Sequence, residues 1–450
     1  MTSSWAPAIL GDLVEVRHGW PFKSEHFGEP LRGRPIVVAI GNFRYTGGFR
    51  FGSTAVKGYR DDYPREYELS AGDTLVVMTC QTPGGEILGI PARIPADGRV
   101  YLHNQRMGKV VVRAPERVLP DYLYWLFLWR NLNQELVKTA SGTKILHTSP
   151  SRIAAFRFQL PCLLEQRRIA AVLSALEQKI DVNRRVSVTL EAMARALFKS
   201  WFVDFEPVHA KNAGRKPVGM GAEAAALFPA AFDPARTGPG APIPSGWTWQ
   251  PLGEVALALS GGTPSRSNLA QWNGDIPWIS PKTMKSIHVY EAEANVSRQA
   301  LGNGTRLAAA GATLVMVRGM GLHEGVRVSQ AVCDVAFNQD VKALVPRKIH
   351  PTLLLFALLN GQSDLLTRVT SSGHGTGVMP SDILLAHPVV VPPEKSQAAL
   401  ARPLDAMNDK IRAARLETDA LVALRDALLP KLLSGELRVP EAERLVQEAV

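Results

Sequence analysis

The feature that most constrains this chain is that its second half repeats its first. Leu10-Gly11-Asp12-Leu13-Val14 answers to Leu252-Gly253-Glu254-Val255-Ala256, and Gly72-Asp73-Thr74-Leu75-Val76 to Gly311-Ala312-Thr313-Leu314-Val315. Asn104-Gln105 answers to Asn338-Gln339, and Thr139-Ala140-Ser141-Gly142 to Thr370-Ser371-Ser372-Gly373. Gln166, Lys179-Ile180 and Leu190 pair with Gln397, Lys410-Ile411 and Leu421. The offset drifts from 242 to 231 and then holds at 231. A drifting offset marks loops that accept insertions; a constant one marks an element that tolerates none. The repeat is too long for a solenoid, so a globular domain with an appendage has been duplicated. The 450 residues have room for two to four domains of ordinary size.

Each copy begins strand-like. Pro35–Ile40, Thr74–Thr79 and Lys109–Arg113 are short β-rich runs between turn residues, and Thr313–Val317 and Val341–Val345 repeat them. Pro120–Asn133 and Pro351–Ser363 each read as one helix with proline at its start. The expected class is α+β, with two similar heads built on curled sheets.

Each copy ends in a long helix. Its core positions run Ile169, Leu173, Leu176, Ile180, Asn183, Ser187, Leu190, Ala194, Leu197, Trp201. The second copy gives Leu400, Leu404, Met407, Ile411, Ala414, Thr418, Leu421, Arg425, Leu428, Leu432. Steps of four and three alternate without a slip, which is the period of a coiled-coil seam. The flanking faces carry charges suited to salt bridges, such as Arg184, Arg185, Glu191, Arg412, Arg415 and Glu417. The simplest partner for each helix is the other, the two running antiparallel with a head at each end and approximate two-fold symmetry within one chain. The expected organisation is a head at 1–160, a helix at 161–206, a partly mobile Gly/Ala/Pro-rich connector at 207–243, a head at 244–391, a helix at 392–436 and a tail at 437–450.

The net charge is +10. Residues 1–160 hold 20 Lys and Arg against 14 Asp and Glu, whereas residues 244–391 hold 11 against 9. A basic excess on the heads suits a polyanionic partner. Cys80, Cys162 and Cys333 lie far apart, at no metal-ligand spacing, as expected in a reducing cytoplasm. The N-terminus lacks a signal-peptide pattern, and no apolar run approaches the ~20 residues that span a bilayer.

Motifs for catalysis are absent. There is no P-loop, no His-Glu-x-x-His, no Gly-x-Ser-x-Gly elbow and no Asn-Pro-Pro-aromatic run. Ser372-Gly373-His374-Gly375-Thr376-Gly377 reads as a recognition loop rather than a dinucleotide fingerprint. His323-Glu324 reads as structural. The pattern is that of a binder.

Several segments carry a resemblance. In the second copy they are Trp249-Gln250-Pro251-Leu252-Gly253, Gly261-Gly262-Thr263-Pro264, Trp272-Asn273-Gly274-Asp275-Ile276-Pro277-Trp278-Ile279 and Ala336-Phe337-Asn338-Gln339-Asp340. The first helix opens with Glu165-Gln166-Arg167-Arg168-Ile169 and ends near Trp201-Phe202-Val203-Asp204-Phe205; the second ends near Leu432-Leu433-Ser434-Gly435-Glu436-Leu437. In this order, and duplicated, they resemble the specificity subunit of type I restriction–modification enzymes. The first copy departs from the pattern: Gly19-Trp20-Pro21-Phe22-Lys23 stands where the Gly-Gly-Thr-Pro run belongs, and the Trp-x-Gly-Asp-Ile-Pro-Trp-Ile block is missing.

The resemblance implies that each head binds one half of a bipartite double-stranded DNA site, while the helices set the unread spacer and dock two methyltransferase subunits. It implies no cofactor in this chain: S-adenosylmethionine belongs to the methyltransferases, and ATP and Mg²⁺ to two translocase–nuclease subunits. Arginine suits guanine, and Asn or Gln suits adenine. The candidate DNA-binding residues are Lys23, Arg44, Arg50, Gln81 and Lys144 in the first head, and Ser265, Arg266, Lys282, Lys285, Arg318 and His374 in the second. The rival readings are a coiled-coil scaffold that binds no nucleic acid and a self-sufficient nuclease or methyltransferase.

Overall fold

The computed structural model describes residues 5–29, 33–50, 56–237, 242–372 and 375–449. They fall into two compact units, 1–182 with 417–450, and 183–416. The candidate His374, and the connector stretch 238–241, lie outside the described residues.

In the first unit, Val14–His18, Met107–Val112, Thr74–Val77 and Pro91–Arg93 form an antiparallel sheet. Its alternation is visible in Val14 and Val16, which face the core, while Glu15 pairs outside with Arg17 at 2.9 Å and Arg113 at 2.8 Å. A second sheet runs in the order Phe27–Gly28, Lys57–Tyr59, Ile36–Val37, Tyr101–Leu102, Glu68–Leu69. Its Ile36–Val37 and Tyr101–Leu102 strands are parallel. In the second unit, Ala256–Ser260, Val341–Pro346, Thr313–Met316 and Val328–Ala331 repeat the first sheet, and His288–Val289 adds a fifth strand at its edge. There, Trp272–Ile279 runs parallel to Val335–Phe337. Ile36–Val37 therefore takes the topological place of Trp278–Ile279, so the first head keeps the strand while lacking the sequence block.

Two expected helices are each broken in two. The run from Pro120 divides into Pro120–Leu128 and Arg130–Thr139. Trp129 between them is extended (φ −69°, ψ 124°) and sets its ring edge-on to Phe156 at 6.2 Å. The run from Pro351 divides at Gly361, where a Cβ would come within 2.9 Å of His387 Nε2. At both breaks the chain packs against a residue that a local pattern does not include.

The long helices are Leu163–Phe198, which continues through a π-turn at Lys199–Val203, and Glu394–Ser434. All twenty seam positions are buried or half-buried. In the first unit, Glu165 meets Arg438 at 2.8 Å, Glu177 meets Arg425, and Lys179 meets Glu417 at 3.0 Å. Numbers rise along one segment as they fall along the other, so the two are antiparallel there. Arg425 is a polar residue at a seam position, 3% exposed, and is held by Glu177 and Asp426. Burial works against its charge, but the two carboxylates outweigh burial and hold its pKa above the ordinary value. Arg184 is half-buried rather than fully solvated.

Two segments are more ordered than expected. The connector forms helices Glu206–Asn212 and Ala222–Ala226 and pairs Phe232–Thr237 with Pro242–Pro244. Val208, Phe228 and Ile243 anchor it in the core of the second unit, with Phe228 5.3 Å from Trp201 and 5.9 Å from Trp247. The tail is a helix, Val439–Ala449, and Val439 and Ala442 enter the core of the first unit. Glu165 ties it down, accepting from Trp5 Nε1 at 2.8 Å and from Arg438 at 2.8 Å.

Candidate nucleic-acid interface

The same loop framework occurs in both heads. In the first, Trp20 N–H donates to the His103 carbonyl at 2.8 Å, and Gln105 N–H donates to the Trp20 carbonyl at 3.0 Å. In the second, Gly262 N–H donates to the Phe337 carbonyl at 2.9 Å. The residue before each crossing must be glycine, because a Cβ on Gly19 or Gly261 would lie 2.3 Å from facing backbone atoms. Gly19-Trp20 thus does the work of Gly261-Gly262 without the Gly-Gly-Thr-Pro sequence.

Beside each crossing, an Asx turn presents the next residues outward. The Asn104 Oδ1 accepts from Arg106 N–H at 3.0 Å, and the Asn338 Oδ1 accepts from Asp340 N–H at 3.1 Å. Both asparagines are buried, whereas Gln105, Arg106 and Gln339 are exposed. His103 braces the first turn, its Nε2 2.8 Å from the Met107 carbonyl. Burial pushes the His103 pKa down to about 4, so the imidazole is neutral near pH 7.

The turn of the first head opens on a cleft of about 580 Å³. Phe22, Phe27 and Val37 supply its apolar wall, and Arg50, Lys57, Arg106, Gln81 and Gln105 its polar one; among the described residues no carboxylate lines it. Arg50 and Gln81 are therefore brought together, and Lys23 follows Phe22 on the exposed rim. Arg44 is half-buried, in a tight turn whose Gly47 lies against Leu128 and Tyr124, and it does not line the cleft. Lys144 lies in the exposed loop before Leu146–His147, the strand that pairs with Thr79–Cys80 and so ends beside Gln81.

The second head places its candidates differently. The Arg266 guanidinium stacks 4.0 Å from the centre of the Trp272 ring and 5.6 Å from that of Trp278. Ser265 bonds Ser267 at 2.8 Å, and Lys282 pairs with Glu293 at 2.8 Å. Lys285 lines a separate cleft with Glu191, Arg195 and Arg327. Arg318 is exposed, on a strand that pairs with Gly377–Val378 as Thr79–Cys80 pairs with Leu146–His147. His323, at the end of the short helix Met320–His323 that follows, lies 3.2 Å from the Gly375 carbonyl. Arg106, Lys57 and Gln105 are not among the candidates charge and turn residues point to, although Arg106 and Gln105 belong to the repeated Asn-Gln turn.

Residues 3–192 and 244–418 match the family of type I restriction modification DNA specificity domains. The chain belongs to the type I restriction–modification specificity subunits. Two relatives of this specificity subunit span most of it. The HindI specificity subunit of Haemophilus influenzae is 24% identical over 78% of this chain and 86% of its own length. The MjaIX specificity subunit of Methanocaldococcus jannaschii is 25% identical over 72% of this chain and 70% of its own. The crystal structure of the S subunit of a type I restriction–modification system from M. genitalium shares the fold, with a TM-score of 0.60 over 96% of this chain and 97% of that one at 14% identity. Among the described residues of the specificity subunit, no helix is long and apolar enough to cross a membrane.

Proposed function

We propose that this specificity subunit is the non-catalytic DNA reader of its complex, each head binding one half of a bipartite double-stranded site. The observation that carries this is the pair of matched turns: one backbone framework, repeated, offers Gln105-Arg106 in one head and Gln339-Asp340 in the other. A shared scaffold that carries an exposed Arg106 in one head and a half-buried Asp340 in the other suits two half-sites of different sequence. Cationic groups at the cleft supply phosphate affinity, and amide and guanidinium groups supply base readout.

In the same proposal the two long helices set the number of unread base pairs and dock two methyltransferase subunits, which use S-adenosylmethionine. Two translocase–nuclease subunits, using ATP and Mg²⁺, complete the restricting complex. Membership of the specificity-subunit family favours this over a scaffold without nucleic acid. Incubating the purified chain with DNA and S-adenosylmethionine or Mg²⁺ tests the non-catalytic assignment, which turnover by the chain alone would overturn.

The spacer role is tested by inserting four residues into both helices at matched seam positions. Four residues add about 6 Å of helix and about one turn, so the seam is nearly preserved. At about 3.4 Å per base pair, the site should keep both half-sequences and gain one or two unread base pairs. Methylome sequencing of the host reads this directly. An unchanged spacer with activity retained would show that something other than the helices sets the distance.

A further inference from the structure

We propose that Arg106 reads a guanine in the half-site of the first head, and that Asp340 at the matching position makes the second head reject guanine there. This rests on the DNA-reading function proposed above and assigns one contact within it.

Among the described residues three cations line the cleft of the first head, and two of them make a contact within the protein. Arg50 Nε donates to the Gly41 carbonyl at 3.0 Å, and the Lys57 ammonium lies 5.4 Å from the centre of the Phe27 ring. The Arg106 guanidinium has no protein partner among the described residues, although its backbone is fixed by the Asn104 turn. A rigid backbone with a free planar fork is what bidentate recognition requires. The surroundings favour a base edge over a phosphate. Phe22, Phe27 and Val37 form an apolar wall, and Gln81 and Gln105 place neutral amides beside the cation. The pairing such a fork makes in the major groove is with guanine O6 and N7, both acceptors.

The second head supplies the contrast. Asp340 occupies the same place in the same turn, its carboxylate accepting from Asn338 Nδ2 at 3.0 Å. An acceptor facing the two acceptors of guanine is repelled, so this position excludes the base that Arg106 selects.

The test uses the full chain in complex with its methyltransferase subunits. Methylome sequencing of the wild-type host first gives both half-sites. Each guanine of the half-site assigned to the first head is then replaced in turn by 7-deazaguanine, which lacks the N7 acceptor, and binding is measured by titration. One replacement should weaken wild-type binding by about five- to a hundredfold, and Arg106→Ala should bind that DNA and the unmodified DNA equally. The Arg106→Ala methylome should become degenerate at that base pair and keep the other half-site. A uniform loss of methylation with the recognised sequence unchanged would make Arg106 a phosphate contact and overturn the proposal. So would degeneracy at an A·T pair. A wild-type complex that methylates without any sequence preference would overturn the underlying reading instead.

Discussion

Gln166 and Gln397 stand 231 residues apart and make the same three hydrogen bonds. Gln166 accepts from Leu119 N–H at 2.9 Å and donates to the carbonyls of Arg117 at 2.8 Å and Pro161 at 2.9 Å. Gln397 accepts from His350 N–H at 2.7 Å and donates to Lys348 at 3.0 Å and Pro392 at 3.1 Å. Every partner carries the same offset. In each copy one buried amide near the start of a long helix joins that helix to its head, which explains why the offset admits no insertion here.

Gln166→Ala should leave one N–H and two carbonyls of the first head unpaired, destabilising it by about 2–4 kcal/mol. Gln166→Glu should not rescue it, because a carboxylate cannot donate to the two carbonyls. Hydrogen exchange at the Leu119 amide checks this; unchanged protection in Gln166→Ala would contradict it.

Leu176 is a seam residue, 2% exposed, two positions from the solvent-facing Gln178. Leu176→Asp should cost several kcal/mol and abolish folding or methyltransferase binding, since it buries an unpaired carboxylate. Gln178→Asp should change the unfolding midpoint little. Equal effects in denaturant titrations would refute the seam.

Arg425 should matter through its partner. Arg425→Met removes the buried guanidinium that Glu177 and Asp426 hold, and breaking such a buried pair costs up to about 3–5 kcal/mol. Replacing both Arg425 and Glu177 by Met should recover most of that loss. A double-mutant cycle in urea checks it, and strictly additive losses would contradict the coupling.

Acid should weaken the second head through His288. Burial pushes its pKa from 6.5 to about 4, against the pull of Asn408 and Asp409 and with help from Arg412 and Arg415. The unfolded imidazole takes a proton near pH 6.5, while the folded one does not until about pH 4. Between these values the unfolded state binds more protons, so stability falls as pH drops through that window and then levels, by about 3 kcal/mol at most. His288→Gln should flatten this slope in unfolding measurements from pH 7 to 4; an unaltered slope would show that His288 does not carry it.

What could be read from the sequence was what repeats or is periodic. The duplication and the seam were legible because a single helix geometry dictates the spacing from Ile169 to Trp201 and from Leu400 to Leu432. The breaks at Trp129 and Gly361, the docking of the connector through Phe228, and the tail helix tied by Trp5, Glu165 and Arg438 were not, since each depends on residues far away in the chain. The candidate site was legible in part. Arg50 and Gln81 share one cleft, but charge and turn residues alone could not show that Arg266 lies against Trp272 or that Lys282 is paired with Glu293. Nor could they show that the Arg106 guanidinium has no protein partner among the described residues.

Each head is proposed to read its own half-site independently of the other. Replacing residues 1–160 by the corresponding head of a relative, and sequencing the methylome of the host, tests this most directly. One half-site should change to that of the donor, while the other half-site and the spacer stay as they were. A change in both half-sites, or in neither, would contradict it.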